Sequence, residues 1–570
     1  MEQQVDSISR PAVKTWGLGI PRTVQSRRLR WQSALTVMFA AALLLWLHLR
    51  FYHYAFDDAY IHFRIAQNLV RYGAPYFNPD EAVKASSSSG WTLCLAGIIG
   101  LSQALRFTVD LPLIVACLNA VFTLCGAMVY TALLRRLLRF RCSALVCGLV
   151  GGGLYVSLLI VPSIGLMETA FALLVVGMGF HFLLDKRPVC LTLFGAAMFL
   201  RPELIVVTGL VVLYAVLTKR FTLAKIIFFT SLGALPFLIY DLVFFGTVLP
   251  NTVKAKSVVY TVALPEVLRS IVKGIVPDNV FFLFFKSVAN IRVPYVVSVV
   301  CIMAGLEIYR EVKSGKALRL AERRADESYV TGILFLWGLA VAGAYFITQT
   351  LVFQWYIPLY AVPLSLIFCK AWLESSTMLA RSALIVLLAF FLSGHFLYFL
   401  QIAAAVTNPL YYPEFGPGAR VKQYLAMGKT LYTQFPTASL LTSEIGGLGY
   451  GFRGYILDGV GLVSPEALLY HPMQVPEERS SGSIGAIPVE FIATTQPDLI
   501  VSYDVFIEAF LQSEVVKQYA RARCPLFLDD DMARLPGAVF WESRYLNVFA
   551  RKNSPAAEAI TMLVQTKCQP

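Results

Sequence analysis

Four short stretches of this 570-residue chain gather the side chains that can do chemistry. The first is Phe56-Asp57-Asp58-Ala59-Tyr60-Ile61-His62-Phe63-Arg64, which continues to Asn68 and Arg71. The second is Gly165-Leu166-Met167-Glu168-Thr169, and the third is Arg201-Pro202-Glu203. The fourth runs from Phe245 through Pro250-Asn251-Thr252 to Lys254-Ala255-Lys256. Each adjoins an apolar run, where keeping a charge costs a few kcal/mol, roughly 2.5–3.5 at a helix centre, so such residues are functional candidates by default. Carboxylates beside Arg and Lys at a membrane face suit transfer from a lipid phosphate. A basic cluster holds the phosphate, a carboxylate takes the proton of an incoming hydroxyl, and charge stabilisation of the leaving phosphate supplies much of the acceleration. The structural alternatives are a capped interfacial helix, a Glu that complements a helix dipole, and snorkelling lysines. No P-loop and no G-x-G-x-x-G before a helix is present, which argues against a nucleotide donor.

The elements that must position these groups are membrane spans. The chain is 57% hydrophobic and only 15% charged, whereas a soluble chain carries about 25% charged residues. That balance excludes a disordered chain, a secreted disulfide scaffold and an ordinary cytosolic enzyme. Apolar runs begin at Trp31–Phe51 and continue with Leu111–Leu134, Ser143–Val161, Leu166–Leu184, Val189–Leu200, Leu204–Leu217, Leu223–Phe245, Val293–Ile308, Val330–Ile347, Ile357–Trp372 and Leu384–Leu400. Trp91–Leu105 is apolar but short, and reads as re-entrant or interfacial. Net charge is +13. The basic residues fall in gaps such as Arg135–Arg141, Lys186-Arg187, Lys219–Lys225 and Arg310–Arg324, the positive-inside pattern rather than a nucleic-acid footprint. If Trp91–Leu105 does not cross, the gaps alternate consistently over about eleven spans. The fold class expected is therefore a polytopic α-helical membrane protein with a C-terminal soluble α/β domain. Residues 1–30 form a basic cytoplasmic segment, 31–405 the membrane domain with its first outer loop at 52–90, and 406–570 an extracytoplasmic domain. The first run is read as an uncleaved span, because no small-residue cleavage site follows it.

The tail has Pro/Gly turns, acidic residues and β-rich runs such as Leu499-Ile500-Val501 and Asn547-Val548-Phe549. Its length suits one domain of about 160 residues. Ten cysteines are present, and only Cys524 and Cys568 fall in this polar tail. A disulfide between them is an open alternative, given an oxidising compartment. No metal-ligand spacing stands out. Read as a helix, the first stretch places Asp57, Arg64, Asn68 and Arg71 on one face and Ala59, Phe63, Ala66 and Val70 on the other. The expectation is an amphipathic helix on the membrane surface.

Asp57-Asp58-Ala59-Tyr60-Ile61 with Arg64, Asn68, Gly73, Phe77-Asn78, Glu81, Ser86–Ser89 and Trp91 resembles the first-loop signature of GT-C membrane glycosyltransferases, and most nearly that of AftB-type arabinofuranosyltransferases. Met167-Glu168-Thr169-Ala170, Arg201-Pro202-Glu203, Leu249-Pro250-Asn251-Thr252 and Ala255-Lys256 follow in the same order. In the tail, Gly446-Gly447-Leu448-Gly449-Tyr450 and Leu457-Asp458-Gly459-Val460-Gly461-Leu462 are similar to further elements of that family. Lys84-Ala85 and Ser464-Pro465 depart from its pattern.

The resemblance implies a sugar transferase of the plasma membrane. Its partners would be a polyprenyl-phosphate sugar donor, a glycan or glycoprotein acceptor and the lipid bilayer. An aspartate of the pair Asp57 and Asp58 would be catalytic. Helical phase favours Asp57 facing Arg64, and a slightly later helix start favours Asp58. Arg64, Arg201, Lys254 and Lys256 would bind the donor phosphate. Tyr60, Asn68, Glu81, Trp91, Glu168, Glu203, Asn251 and Asp458 would line the cavity. No cofactor is expected, and the sequence neither requires nor excludes a divalent cation. The rival readings are a polytopic transporter or lipid-linked-glycan flippase, a non-catalytic assembly or sensor subunit, and a different lipid-linked transferase, of the O-antigen ligase type, that moves a whole oligosaccharide.

Overall fold

The computed structural model of the protein describes residues 22–275, 316–374, 416–473, 485–525 and 545–560. The expected spans Val293–Ile308 and Leu384–Leu400, Cys568, and most of the basic N-terminal segment lie outside the described residues. Helices occupy the other expected runs. They are α1 (Arg22–Phe51), α2 (Asp57–Tyr72), α3 (Ser89–Ala104), α4 (Leu111–Leu137), α5 (Ala144–Ile164), α6 (Thr169–Leu184), α7 (Val189–Leu200), α8 (Ile205–Leu217) and α9 (Leu223–Phe245). After α9 come α10 (Asn251–Val259), α11 (Leu264–Ile275), α12 (Lys316–Thr348) and α13 (Ile357–Glu374). Among the described residues six helices are long and apolar enough to cross a membrane by length and composition: parts of α1 and α12, and α4, α5, α9 and α13. Three apolar helices are shorter. The 12-residue α7 rises only about 18 Å, which leaves Arg201 at the junction between α7 and α8.

The short helix α7 packs tightly on α9. Gly195 of α7 faces the Thr230 carbonyl of α9, and Gly233 of α9 faces the Thr192 carbonyl of α7, so that a Cβ at either position would strike backbone. Small residues at such a crossing let helices approach closely in a medium that offers no hydrophobic drive between them. The consequence is local: the end of α7 and the end of α9 are held side by side, bringing Leu200 and Asp241 into one neighbourhood.

Among its described residues the tail holds α14 (Gly416–Gln434), α15 (Ile445–Phe452), α16 (Val489–Thr495) and five strands, β1 (Ser439–Thr442), β2 (Tyr455–Asp458), β3 (Leu499–Tyr503), β4 (Tyr519–Pro525) and β5 (Tyr545–Arg551). They form one mixed sheet in the order β2-β1-β3-β5-β4. β1 is parallel to β2 and β3, while β5 is antiparallel to β3 and β4. The two β-rich runs legible in the sequence are thus β3 and β5, direct neighbours. Strand residues alternate between two cores: Leu440, Ile456, Val501 and Val548 face one, and Leu441, Leu457, Ile500 and Phe549 face the other. This is the period of two that a strand imposes. Cys524 on β4 is disulfide-bonded.

The surface-helix expectation for α2 requires correction. Residues Ala59 through Ala66 are buried without a break. Ala59, Tyr60, Phe63 and Ala66 pack into the membrane-helix core, and Ile61 and Ile65 pack into the tail core with Tyr424 and Leu448. The helix has no solvated face along this stretch because the tail folds back over it. Periodicity within one segment cannot report such long-range burial.

Candidate active site

α2 begins with Asp57 and Asp58 in its first turn, and tertiary structure gives the two carboxylates different work. Asp57 accepts from the backbone amides of Gly446 and Gly447, each at 2.8 Å, so both of its oxygens sit on the N-terminus of α15. A carboxylate there complements the exposed amides and dipole of the helix. Burial, then the neighbouring Glu444 charge, pushes the Asp57 carboxyl up to about 7, against the pull of those two amides. Asp58 faces Lys256 of α10 instead, with Nζ to Oδ2 at 3.2 Å and side chains 26% and 15% exposed. Of the two, Asp58 is the one with an open carboxylate and a cation.

Lys256 sits in an aromatic enclosure. Nζ donates to the Tyr356 hydroxyl at 2.8 Å and lies 5.1 Å from the Phe353 ring centre and 5.4 Å from that of Tyr356. Burial works to lower its pKa, but the Asp58 charge and the Tyr356 hydroxyl outweigh it, so the ammonium is held above its ordinary range. The aromatic segment arrives through backbone pairing. Val262 donates to Gln349 and Leu351 donates to Tyr260, both at 2.9 Å, joining the strand-like stretch after α10 to the loop before α13. Thr169 at the start of α6 donates to the Trp355 carbonyl at 3.1 Å.

Behind Tyr356 lies a buried charge cluster. Arg201 stacks over the Tyr356 ring at 4.8 Å. Its Nη1 donates to Glu168 at 2.7 Å, and Nη2 and Nε donate to Glu203 at 3.0 and 3.3 Å. Tyr345, stacked on Tyr356 at 5.5 Å, donates to Glu203 at 2.8 Å. On the far side His62, one turn beyond Asp58, brings Nε2 to 3.9 Å from Glu168. Burial holds the imidazole below its usual pKa, with Glu168 opposing.

Several sequence expectations meet a different geometry. Each nitrogen of Arg64 is already committed: to the carbonyls of Phe77, Gly449 and Gly454 at 2.8, 2.6 and 2.7 Å, with Asn78 as a longer partner. It grips the C-terminal end of α15. Arg201 has all three nitrogens on carboxylates and a side chain 2% exposed, and it faces Lys256 across the Tyr356 ring. Lys254 is exposed and away from the pair, because two residues along a helix point to opposite sides.

Tyr60 packs against Phe63 and Tyr450, and Trp91 is buried against Phe171. Asn68 donates to the Tyr76 and Phe77 carbonyls. Glu81 accepts from Asn78 and Tyr455. Asn251 donates to the Gly461 and Leu462 carbonyls at 2.7 and 2.9 Å. Asp458 accepts from the amides of Val460, Leu462 and Val463. Asn68, Glu81, Asn251 and Asp458 fasten the first loop, α10 and the tail to one another or within themselves. They leave the open carboxylate to Asp58.

Sequence reasoning missed Tyr356, Tyr345, His62 and Asp241. The available signals were the aromatic run Phe353-Gln354-Trp355-Tyr356 between two apolar runs and the lone carboxylate within Leu223–Phe245. Among the described residues, no group of three or more His, Cys, Asp or Glu side chains could hold a metal ion.

No protein-family model matches the sequence, and neither does any curated protein sequence. Among solved structures, the crystal structure of ArnT from Cupriavidus metallidurans in the apo state is similar at 12% identity and a TM-score of 0.47, over 91% of this chain and 98% of that one. That likeness is too distant to carry chemistry across.

Proposed function

We propose that this chain is an integral-membrane glycosyltransferase. It transfers arabinofuranose or a similar pentose from a polyprenyl phosphate to a hydroxyl of a glycan or glycoprotein acceptor. It resides in the plasma (inner) membrane, with the tail and the first loop on the extracytoplasmic side. The observation that carries this reading is the half-open pair of Asp58 and Lys256, 3.2 Å apart, enclosed by the aromatic loop. The ordered motifs that resemble GT-C enzymes support it independently.

The chemistry follows from these atoms. The Asp58 carboxylate takes the proton of the acceptor hydroxyl as its oxygen attacks the anomeric carbon. The bond from that carbon to the phosphate oxygen breaks, and the lipid phosphate leaves with the electron pair. The Lys256 ammonium and the Tyr356 hydroxyl lie where that charge can be offset. Arg201, neutralised by two glutamates, holds the Tyr356 ring by its face. Asp58 is the base and Asp57 is not, since both oxygens of Asp57 are bound by backbone amides.

The test is turnover by the reconstituted full-length protein with a synthetic polyprenyl-phosphate arabinose. Asp58→Asn should lower kcat by about a thousandfold, within the range a general base contributes, with donor binding retained. Near-wild-type turnover by Asp58→Asn would sink the mechanism.

A further inference from the structure

Lys84-Ala85 departs from the first-loop pattern, and Ser86–Ser89 belongs to it. In the fold they are a junction. Lys84 is buried, and its ammonium pairs with Asp241 near the end of α9, itself fully buried. The same ammonium donates to the Val248 carbonyl at 2.6 Å. The Lys84 carbonyl accepts from the amide of Asn251, the first residue of α10, at 2.9 Å. Lys84 therefore staples both sides of the turn that launches the helix carrying Lys256.

The serines reach the other elements of the site. Ser86 shares a hydrogen bond at 3.0 Å with Nδ1 of His62, one turn from Asp58 on α2. Ser88 donates to the carbonyl of Leu200 at 2.6 Å, the residue before Arg201. Ser89 donates to the second oxygen of Asp241 at 2.6 Å. All three are buried. Ser88 holds the N-cap position of α3 yet makes no capping bond with its side chain. A serine there ordinarily serves its own helix, and this one is spent on α7.

We infer that Lys84, Asp241, Ser86, Ser88 and Ser89 form a positioning hub that sets Asp58, Arg201 and Lys256 in register. None of the five touches the reacting atoms; they act through the elements they hold. A buried ion pair is a poor device for stability alone, because apolar residues of similar volume often serve as well or better, whereas fixing one arrangement is a use to which such pairs are suited. The inference rests on the transferase reading for its catalytic consequence, and its structural content is separable from that reading.

The experiment uses the reconstituted full-length protein with Lys84→Met, Asp241→Leu and the double variant. Thermal unfolding, kcat and KM with a synthetic polyprenyl-phosphate arabinose, and the distance between genetically encoded spin labels at the exposed Arg71 and Ser257 are measured. Each single variant leaves a buried charge unpaired and should lose much stability. The double variant should recover its unfolding temperature and keep donor KM within about threefold. Its kcat should stay at least tenfold low, since small misplacement of reacting groups costs up to about a hundredfold, and its label distances should broaden. Ser88→Ala, which keeps the ion pair, should lower kcat at least threefold at unchanged KM.

A stable double variant with wild-type kcat, or with an unbroadened distance distribution, overturns the hub. If the double variant does not fold, wild-type kcat in Ser88→Ala overturns it. If the wild-type protein transfers no sugar, the transferase reading fails, and the label distances alone then decide the hub.

Discussion

Asp57 and Asp58 are adjacent in the chain and opposite in role, and the difference is measurable at the level of single groups. The Asp57 carboxyl stands at about 7 in the fold against an ordinary 3.8, so between those values the folded chain holds a proton that the unfolded chain has released. Its contribution to stability is therefore complete below about pH 4 and is lost as pH rises through about 7. Thermal unfolding of the wild type should fall from pH 5 to pH 8 relative to Asp57→Asn, which lacks the titration; parallel curves for the two proteins would remove this assignment. Lys256 gives a second prediction. Lys256→Ala removes a charge-assisted hydrogen bond of about 1.5–3 kcal/mol, so donor affinity should weaken roughly tenfold to a hundredfold, as read by titration with the polyprenyl-phosphate sugar. Lys254→Ala, on the exposed side of the same helix, should leave that affinity within about twofold.

At the scale of elements, the short helix α15 is held at both ends by α2. Asp57 takes its first amides, and Arg64 takes carbonyls at and just beyond its end. Charges of the matching sign at the two ends of a helix dipole are each favourable. The contact is close enough to exclude side chains. A Cβ at Gly446 would run into the backbone of Asp57, and one at Gly449 would meet Phe77 and Arg64. Gly446→Ala should therefore destabilise the chain by about 1–3 kcal/mol through overpacking, seen as a lower unfolding temperature with reduced kcat. An unchanged unfolding temperature would mean that this dock yields freely. Part of this was visible in the sequence: Asp57, Arg64 and the glycine run at 446–451 were all singled out, but as catalytic groups and a motif. Their hydrogen-bond partners lie nearly four hundred residues away, and no local pattern encodes that pairing.

At the scale of the molecule, the membrane helices and the tail share α2 as a common wall. One side of that helix completes the bundle core and another completes the core beneath the sheet. Without the tail, Ile61, Ile65 and Phe77 would lose their cover and Asp57 its amide partners, and the start of α2 that carries Asp58 would lose its anchor. Chains truncated before Gly416 should insert yet show turnover reduced at least tenfold, although Asp58 and Lys256 remain. Wild-type kcat in such a truncation would show that the tail serves something other than the site.

The apolar runs, their basic gaps and the β-rich stretches of the tail were legible in the sequence, because burial in hydrocarbon and strand pleating impose local composition and period. The stretches that the fold brings together around Asp58, Lys256 and Arg201 were legible as charged residues beside apolar runs, which are costly to keep. Which of two adjacent aspartates stays open, that Arg64 is a fastener, that Arg201 stacks on Tyr356, and that Lys84 finds Asp241 were decided only by tertiary structure. Each of these depends on which distant donor or acceptor satisfies a buried polar group. That partner is chosen by the packing of whole elements, and neighbouring residues in the chain carry no record of it.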